Sequence, residues 1–575
     1  MSVIALRLWG LIGGAGFWLT GNLAGLAQTP PGLPELGGTP RLPAEALPSE
    51  PLPPLPAPET LLPAIAAPET PADPSLEAGE TIFFVKTIQV VGSTVFDEKT
   101  LNDLTAPYIG REITFSELLT LREALTQLYV DRGYVTSGAY IPPQTLKDNT
   151  VTLEVIEGSL EDIVVRGNQR LSQAYISSRI GLAAVSPLNV EDLLAGLQRL
   201  QLDPLIETVS ADLQAGVQPG SSLLVIDLTE ANTFALSVGA QNDRPVSIGG
   251  SQRQLGISKG NLLGLGDWAS LAYTNTEGSN ELDAYYTLPL SPNNDTLTLA
   301  GGFSNSRVVD SVFSVLDISS NSQYYQLSYR RPLIETPTQQ LAMGLSLYHQ
   351  ANQTRIGLDD IGAFPLSAGA DDKGKTRETA LRFFQEWTQR DASQVLAVRS
   401  QFSLGLDWFN ATTNDVGPDS RFFAWRGQGQ WLKLLGQDTL FIVRGDVQLA
   451  TDDLLPMEEF GLGGLYSVRG YQTDALLRDN GAVMSAEFRL PVARVPQIGG
   501  LLQVAPFLDV GVAWNHGDNL PGPNTLAGTG LGLLWQQGDR FSARLDWGIP
   551  LVDLPSRGDG WQANGLYFSI QYTPF

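Results

Sequence analysis

Gln503-Val504-Ala505-Pro506-Phe507-Leu508-Asp509-Val510-Gly511-Val512-Ala513-Trp514-Asn515 is written in two alternating registers. Val504, Leu508, Val510, Val512 and Trp514 share one parity; Ala505, Phe507, Asp509, Gly511 and Ala513 share the other. Neighbouring side chains of a strand point to opposite faces, so one face of this segment is greasy and the other carries a carboxylate. The last segment repeats the pattern, with Leu566, Phe568, Ile570 and Tyr572 alternating with Tyr567, Ser569, Gln571 and Thr573. Segments of about ten residues built this way, separated by Gly/Asn/Asp/Ser clusters, run from 232 to 575 and read as a transmembrane β-barrel with one face to lipid and one to lumen. A water-soluble sandwich alternates similarly and is the main competing reading. That length accommodates about 16 antiparallel strands with their turns and outer loops.

Composition narrows the function. A formal charge of -25 is the wrong sign for neutralising phosphates, so no nucleic-acid partner is expected. With no Cys and two His, thiol nucleophiles, disulfide frameworks and Cys-type zinc sites are excluded. Gly256-Ile257-Ser258-Lys259-Gly260 satisfies Gly-x-Ser-x-Gly but lies in a strand-and-turn stretch without the strand-to-helix elbow of a hydrolase. The acidic residues Asp359, Asp360, Asp371 and Asp372 read as a solvated loop. No catalytic residue, metal or cofactor is expected.

At the other end, Arg7 precedes an apolar run and Gly25-Leu26-Ala27, so 1–27 reads as a secretory signal peptide. Residues 28–80 are rich in Pro, as in Pro51-Leu52-Pro53-Pro54-Leu55-Pro56-Ala57-Pro58, and read as an extended tether. Two units of mixed structure follow, 81–158 and 159–231, each ordered β-α-α-β-β. In the first, a strand over 83–92 precedes a short helix from Asp97 and a second helix opened by the Thr114/Glu117 capping box, with Leu118, Leu121, Leu125 and Leu128 on one face. Strands are expected over 135–141 and 151–157. The second unit places a helix over 189–201, stopped by Asp203-Pro204. Such sheets keep an edge that an extended segment can join as an extra strand.

These units resemble the tandem polypeptide-transport-associated (POTRA) domains of the two-partner secretion transporters, the haemolysin-activator family. The likeness is carried by Gly133-Tyr134-Val135 with Ile141-Pro142-Pro143-Gln144, Val155-Ile156-Glu157-Gly158, Leu197-Gln198-Arg199-Leu200 with Asp203-Pro204, and Pro219-Gly220. In the barrel, Asn261-Leu262-Leu263-Gly264-Leu265-Gly266-Asp267 is similar to an early pattern of the wider superfamily of outer-membrane assembly and secretion barrels. Val468-Arg469-Gly470-Tyr471 is similar to the tip of its inward-folded loop, here 455–481. The resemblance implies that Arg469 meets Asp509 of the Phe507-Leu508-Asp509-Val510-Gly511 motif. Strand parity independently puts Asp509 and Glu487 on the lumen face, making Glu487 a further partner. Four repeats of an aromatic residue followed three positions later by Pro, at Tyr286-Pro289, Tyr329-Pro332, Phe488-Pro491 and Trp547-Pro550, read as periplasmic strand ends. The terminal Phe575 resembles a barrel-assembly signal.

The resemblance therefore implies an all-β transmembrane barrel after two α+β POTRA domains in the outer membrane of a Gram-negative-type envelope, exporting a β-helical adhesin- or haemolysin-like partner. That partner, in extended form, would be received at the POTRA edge formed by Val135, Ser137, Ala139, Tyr140 and Ile141. Lipid and, during biogenesis, the barrel-assembly machinery are the other implied partners. A barrel-assembly or insertase factor of the same superfamily is the alternative, with a passive porin or receptor behind it.

Overall fold

The computed structural model describes residues 58–62, 82–310, 313–516, 523–554 and 560–574. The expected signal peptide, most of the tether and Phe575 lie outside them. The described chain divides into two compact units, one ending at Asn232 and one beginning at Thr233.

In the first unit, the first domain holds Thr87–Val91 parallel to the central strand Thr150–Ile156, which pairs antiparallel with Gly138–Tyr140. Helix Phe115–Val130 begins at Thr114, whose hydroxyl accepts from Glu117 N at 3.2 Å while Glu117 accepts from Thr114 N at 2.8 Å. Its Leu118, Leu121, Leu125 and Tyr129 pack on Ile88, Val151, Leu153 and Val155, with Leu128 partly buried beside them. The second domain repeats the layout, with Ser159–Arg166 parallel to Ser221–Glu230 and Ile206–Ala215 antiparallel on the other side.

The two domains share a closing device that the sequence reading missed. Glu157, just past the central strand of the first domain, accepts from Thr94 N at 2.6 Å, Val95 N at 3.1 Å and the Tyr129 hydroxyl at 2.9 Å. Glu230, ending the central strand of the second, accepts from Gln169 N, Arg170 N and Leu171 N at 2.7, 2.8 and 2.8 Å. Each carboxylate satisfies the amides of the loop leading into its domain's first helix, where no backbone acceptor is on offer. Burial pushes each carboxyl up, yet these bonds hold both below the usual carboxylate range.

Three expectations are corrected in this unit. The strand expected over 83–92 breaks at Lys86: Ile82–Val85 leaves the main sheet to pair with Arg111–Thr114. The strand expected over 135–141 is only Gly138–Tyr140, because Tyr134 to Ser137 form a turn closed by Ser137 N donating to Tyr134 O at 3.0 Å. The tether is not extended throughout: Pro58–Leu61 is a helical turn with Leu61 buried.

In the second unit, sixteen of the described strands close into one antiparallel barrel, from Phe234–Gln241 to Leu566–Tyr572. These two meet over Gln241 to Val238 against Ser569 to Tyr572, leaving no open edge. Outward positions carry exposed apolar side chains such as Leu255, Ile257, Leu271, Tyr273, Leu508, Val510, Leu531 and Leu545, the outer-face pattern of a transmembrane barrel. The strand Gly500–Trp514 buries Ala505, Phe507, Asp509, Gly511 and Ala513 as its parity predicts.

Asn261–Asp267 forms a turn between the second and third barrel strands, held by Leu263 N on Asp267 Oδ1 at 2.9 Å. Ser258 of the hydrolase-like motif is an ordinary buried residue of strand Gln252–Gly260. The aromatic-Pro repeat is corrected in one place. Pro289, Pro332 and Pro491 lie towards the ends of strands running to the rim where the chain joins the barrel at Phe234. The strand Phe541–Pro550 runs the other way, so Trp547 and Pro550 approach the opposite rim.

Candidate functional site: an arginine-tipped loop inside the barrel

Between strands Thr439–Ala450 and Asn480–Val495 the chain turns into the lumen rather than out to solvent. Phe460–Leu462 pairs antiparallel with Leu476–Arg478 to make a stem. Phe460, Leu462, Val468, Tyr471 and Leu476 bury themselves against Val483, Ala513 and Leu526 of the wall. The loop's apolar face and this apolar patch of the wall remove each other from water, which holds the loop inward.

Arg469 is at its tip and 3% exposed. Its Nε and Nη2 donate to the two oxygens of Asp509 at 2.7 and 2.8 Å, and its backbone N donates to the same carboxylate at 3.1 Å. Nη1 donates to Glu487 at 2.7 Å and lies 3.4 Å from Asp546. Ser485 donates to Asp509 at 2.7 Å. The guanidinium also lies 3.4 Å from the centre of the Phe507 ring. A planar cation thus fills a slot with an aromatic face and carboxylates at its edges, a geometry that lysine does not reproduce.

The carboxylates are shared. Arg544 donates to Glu487 at 2.7 Å and to Asp546 at 2.5 Å, and Arg489 donates to Glu487 at 2.9 Å. Arg469, Arg489 and Arg544 therefore share Glu487, Asp509 and Asp546 in one cluster, and these ion pairs offset the desolvation of each charge. Three strands supply it: Ser485, Glu487 and Arg489 from Asn480–Val495, Phe507 and Asp509 from its neighbour Gly500–Trp514, and Arg544 and Asp546 from Phe541–Pro550, one strand further on. The intervening strand Thr525–Gln537 turns Gly528, Gly530 and Gly532 to the same side, which leaves room for the loop.

Around the arginine, Gly470 adopts φ 107° and donates its N–H to the Tyr567 hydroxyl at 2.9 Å. A Cβ there would stand 2.8 Å from Pro550 N, so only glycine lets the tip lie on that strand. The Tyr471 hydroxyl is 2.8 Å from Ala527 O and accepts from Val552 N at 2.9 Å. At the loop's base, Glu458 is paired with Arg382, while Asp479 accepts from Leu454 N and His516 N, both at 2.8 Å.

The structure thus brings Val468, Arg469, Gly470, Tyr471, Phe507, Asp509, Gly511 and Glu487 together. Sequence reading missed Asp546, Arg544, Arg489 and Ser485. A signal existed in Arg544-Leu545-Asp546-Trp547, where both charges share the parity opposite Leu545 and Trp547.

The expected POTRA edge residues are not assembled as one long edge. Val135 and Ser137 are in the turn, Ile141 follows the strand, and Ser137 accepts from Gly158 N at 2.8 Å. Ala139 N already donates to the Thr126 hydroxyl of the neighbouring helix at 3.0 Å. The Tyr140 hydroxyl donates to Glu154 at 2.6 Å.

Comparison with known proteins accords with this architecture. Residues 83–158 match the profile of the ShlB-type POTRA domain. The outer membrane transporter CdiB of Escherichia coli is 25% identical over 495 residues, covering 82% of this chain and 79% of CdiB. The heme/hemopexin transporter protein HuxB of Haemophilus influenzae is 24% identical over 405 residues, covering 67% of this chain and 68% of its own. The solved structure of CdiB from Escherichia coli superposes with a TM-score of 0.62 at 21% identity, covering 87% of this chain and 92% of that one, and so shares its fold. Residues 220–534 match the profile of the haemolysin secretion/activation protein family ShlB/FhaC/HecB. The chain belongs to that family, the outer-membrane transporters that secrete a partner exoprotein.

Proposed function

We propose that the exoprotein leaves through the barrel lumen and that loop 455–481 is the element that must move, with the Arg469 cluster as its latch. The observation that carries this reading is the burial of an arginine-tipped loop on a wall of balanced charges. Buried charge pairs rarely add stability over apolar packing but are costly to break on one side, which suits a contact defining two discrete positions. The exposed apolar outer face is the surface we assign to outer-membrane lipid, and assembly of the barrel by the cell's own machinery accompanies that assignment.

The partner's extended N-terminal segment would dock at the first POTRA domain, beside Gly138–Tyr140 and helix Phe115–Val130. Because Thr126 occupies the Ala139 N–H, backbone pairing there requires that hydroxyl to give way. Export of the cognate partner tests the latch. Arg469→Asp and Asp509→Arg are each expected to abolish export, and wild-type export by either variant would overturn the reading.

A further inference from the structure

Pro58–Leu61 makes one helical turn, closed by Leu62 N donating to Pro58 O at 2.9 Å. It packs on helix Val190–Gln201 and strand Ile206–Ala215 of the second POTRA-like domain. Leu61 is 1% exposed and Leu62 9%, while Pro58, Glu59 and Thr60 face solvent. Two adjacent leucines seated on a folded domain by a short piece of a Pro-rich segment is the geometry of a bound peptide.

The elements it covers are the domain's second helix and the edge strand that follows. They correspond in order to Phe115–Val130 and Gly138–Tyr140 of the first domain. Beside them, the Gln201 side chain donates to Glu207 O and accepts from Val209 N, both at 2.9 Å. A side-chain amide therefore occupies the ladder groups at the start of this edge, which leaves apolar side-chain contact as the recognition open to a ligand there.

We infer that the groove between helix Val190–Gln201 and strand Ile206–Ala215 is a docking site for short apolar, leucine-bearing turns, and that residues 58–62 occupy it as a ligand in cis. The apolar area of two leucines favours docking, and ordering the short segment offsets most but not all of that gain, so the docked state is preferred by a margin small enough for a competitor to displace it. Any apolar segment reaching this groove must compete with it.

The test uses the full chain in detergent and a fluorescent synthetic peptide of residues 55–66, comparing wild type with the double variant Leu61→Asp, Leu62→Asp. The peptide is expected to bind the variant with an apparent Kd at least about tenfold lower than for wild type, where the cis segment competes. A peptide carrying both aspartates binds neither. Amides of 190–215 are expected to exchange several-fold faster in the variant, with those of 115–130 unchanged, which separates undocking from general unfolding. Equal peptide affinity for the two proteins, or unchanged exchange over 190–215, overturns the proposal.

Discussion

The Arg469 guanidinium lies against the Phe507 ring, 3.4 Å from its centre, while gripping Asp509 two residues further along the same strand. Residues two apart on a strand share a face, so the aromatic floor and the carboxylate are delivered together. This explains the spacing of Phe507, Asp509 and Gly511 as one recognition surface. Phe507 fixes the plane of the cation, Asp509 takes its fork, and Gly511 leaves space for the loop's apolar residues.

Replacing Arg469 by Ala should release the tip. Removing one partner of a buried pair costs about 3–5 kcal/mol because the remaining charges are stranded. The chain lacks cysteine, so Ser467→Cys, at a buried loop position, reports docking cleanly. Maleimide labelling of that thiol should be slow with Arg469 present and many-fold faster with Arg469→Ala. Equal labelling rates would show that the arginine does not hold the loop.

Charge exchange should rescue poorly. In Arg469→Asp with Asp509→Arg the new aspartate faces Glu487 and Asp546, which stay in place. Export by the double variant is expected to remain well below wild type. Adding Glu487→Gln, which removes one repulsive neighbour, should raise it.

Gly511→Val should displace the loop without altering any charge. A Cβ at 511 would stand 2.7 Å from Leu462 Cδ2 and 3.1 Å from Val468 Cγ2. Overpacking of this kind costs about 1–3 kcal/mol. The loop should become sensitive to external protease in intact cells while the barrel keeps its heat-modifiable migration on gels.

The POTRA carboxylates predict an acid limit. Glu157 and Glu230 have folded values below the ordinary carboxylate, so their contribution is complete above about pH 4.3 and is lost as pH falls through the lower folded values. Amide exchange at Gln169 to Leu171 should accelerate in that window in wild type. Glu230→Gln should already exchange faster at neutral pH, by a loss of about 1–2 kcal/mol, and respond less to acid.

Thr126→Val should expose the Ala139 N–H. If the partner pairs with this edge, its N-terminal fragment should bind several-fold more tightly in titration calorimetry. Unchanged affinity would place the receiving surface elsewhere.

The barrel was legible because its signal is local. Alternation at 503–515 assigns each side chain to lipid or lumen without reference to any other strand, and the Thr114/Glu117 box marks a helix start for the same reason. The short edge strand Gly138–Tyr140 was overextended because apolar residues in a turn look like strand when only pattern is read. The break at Lys86 depends on a partner, Arg111–Thr114, that local sequence does not name.

By itself, the sequence determined which face Asp509 and Glu487 present, since parity is a property of each strand alone. Tertiary structure decided which of those lumen charges meet: it is the registers of successive strands and the inward path of loop 455–481 that bring Arg469, Arg489 and Arg544 to one cluster. It also decided that Leu61 and Leu62 leave a Pro-rich segment to bury on a folded domain. Both outcomes depend on contacts between residues distant in the chain, whose energies no local pattern encodes.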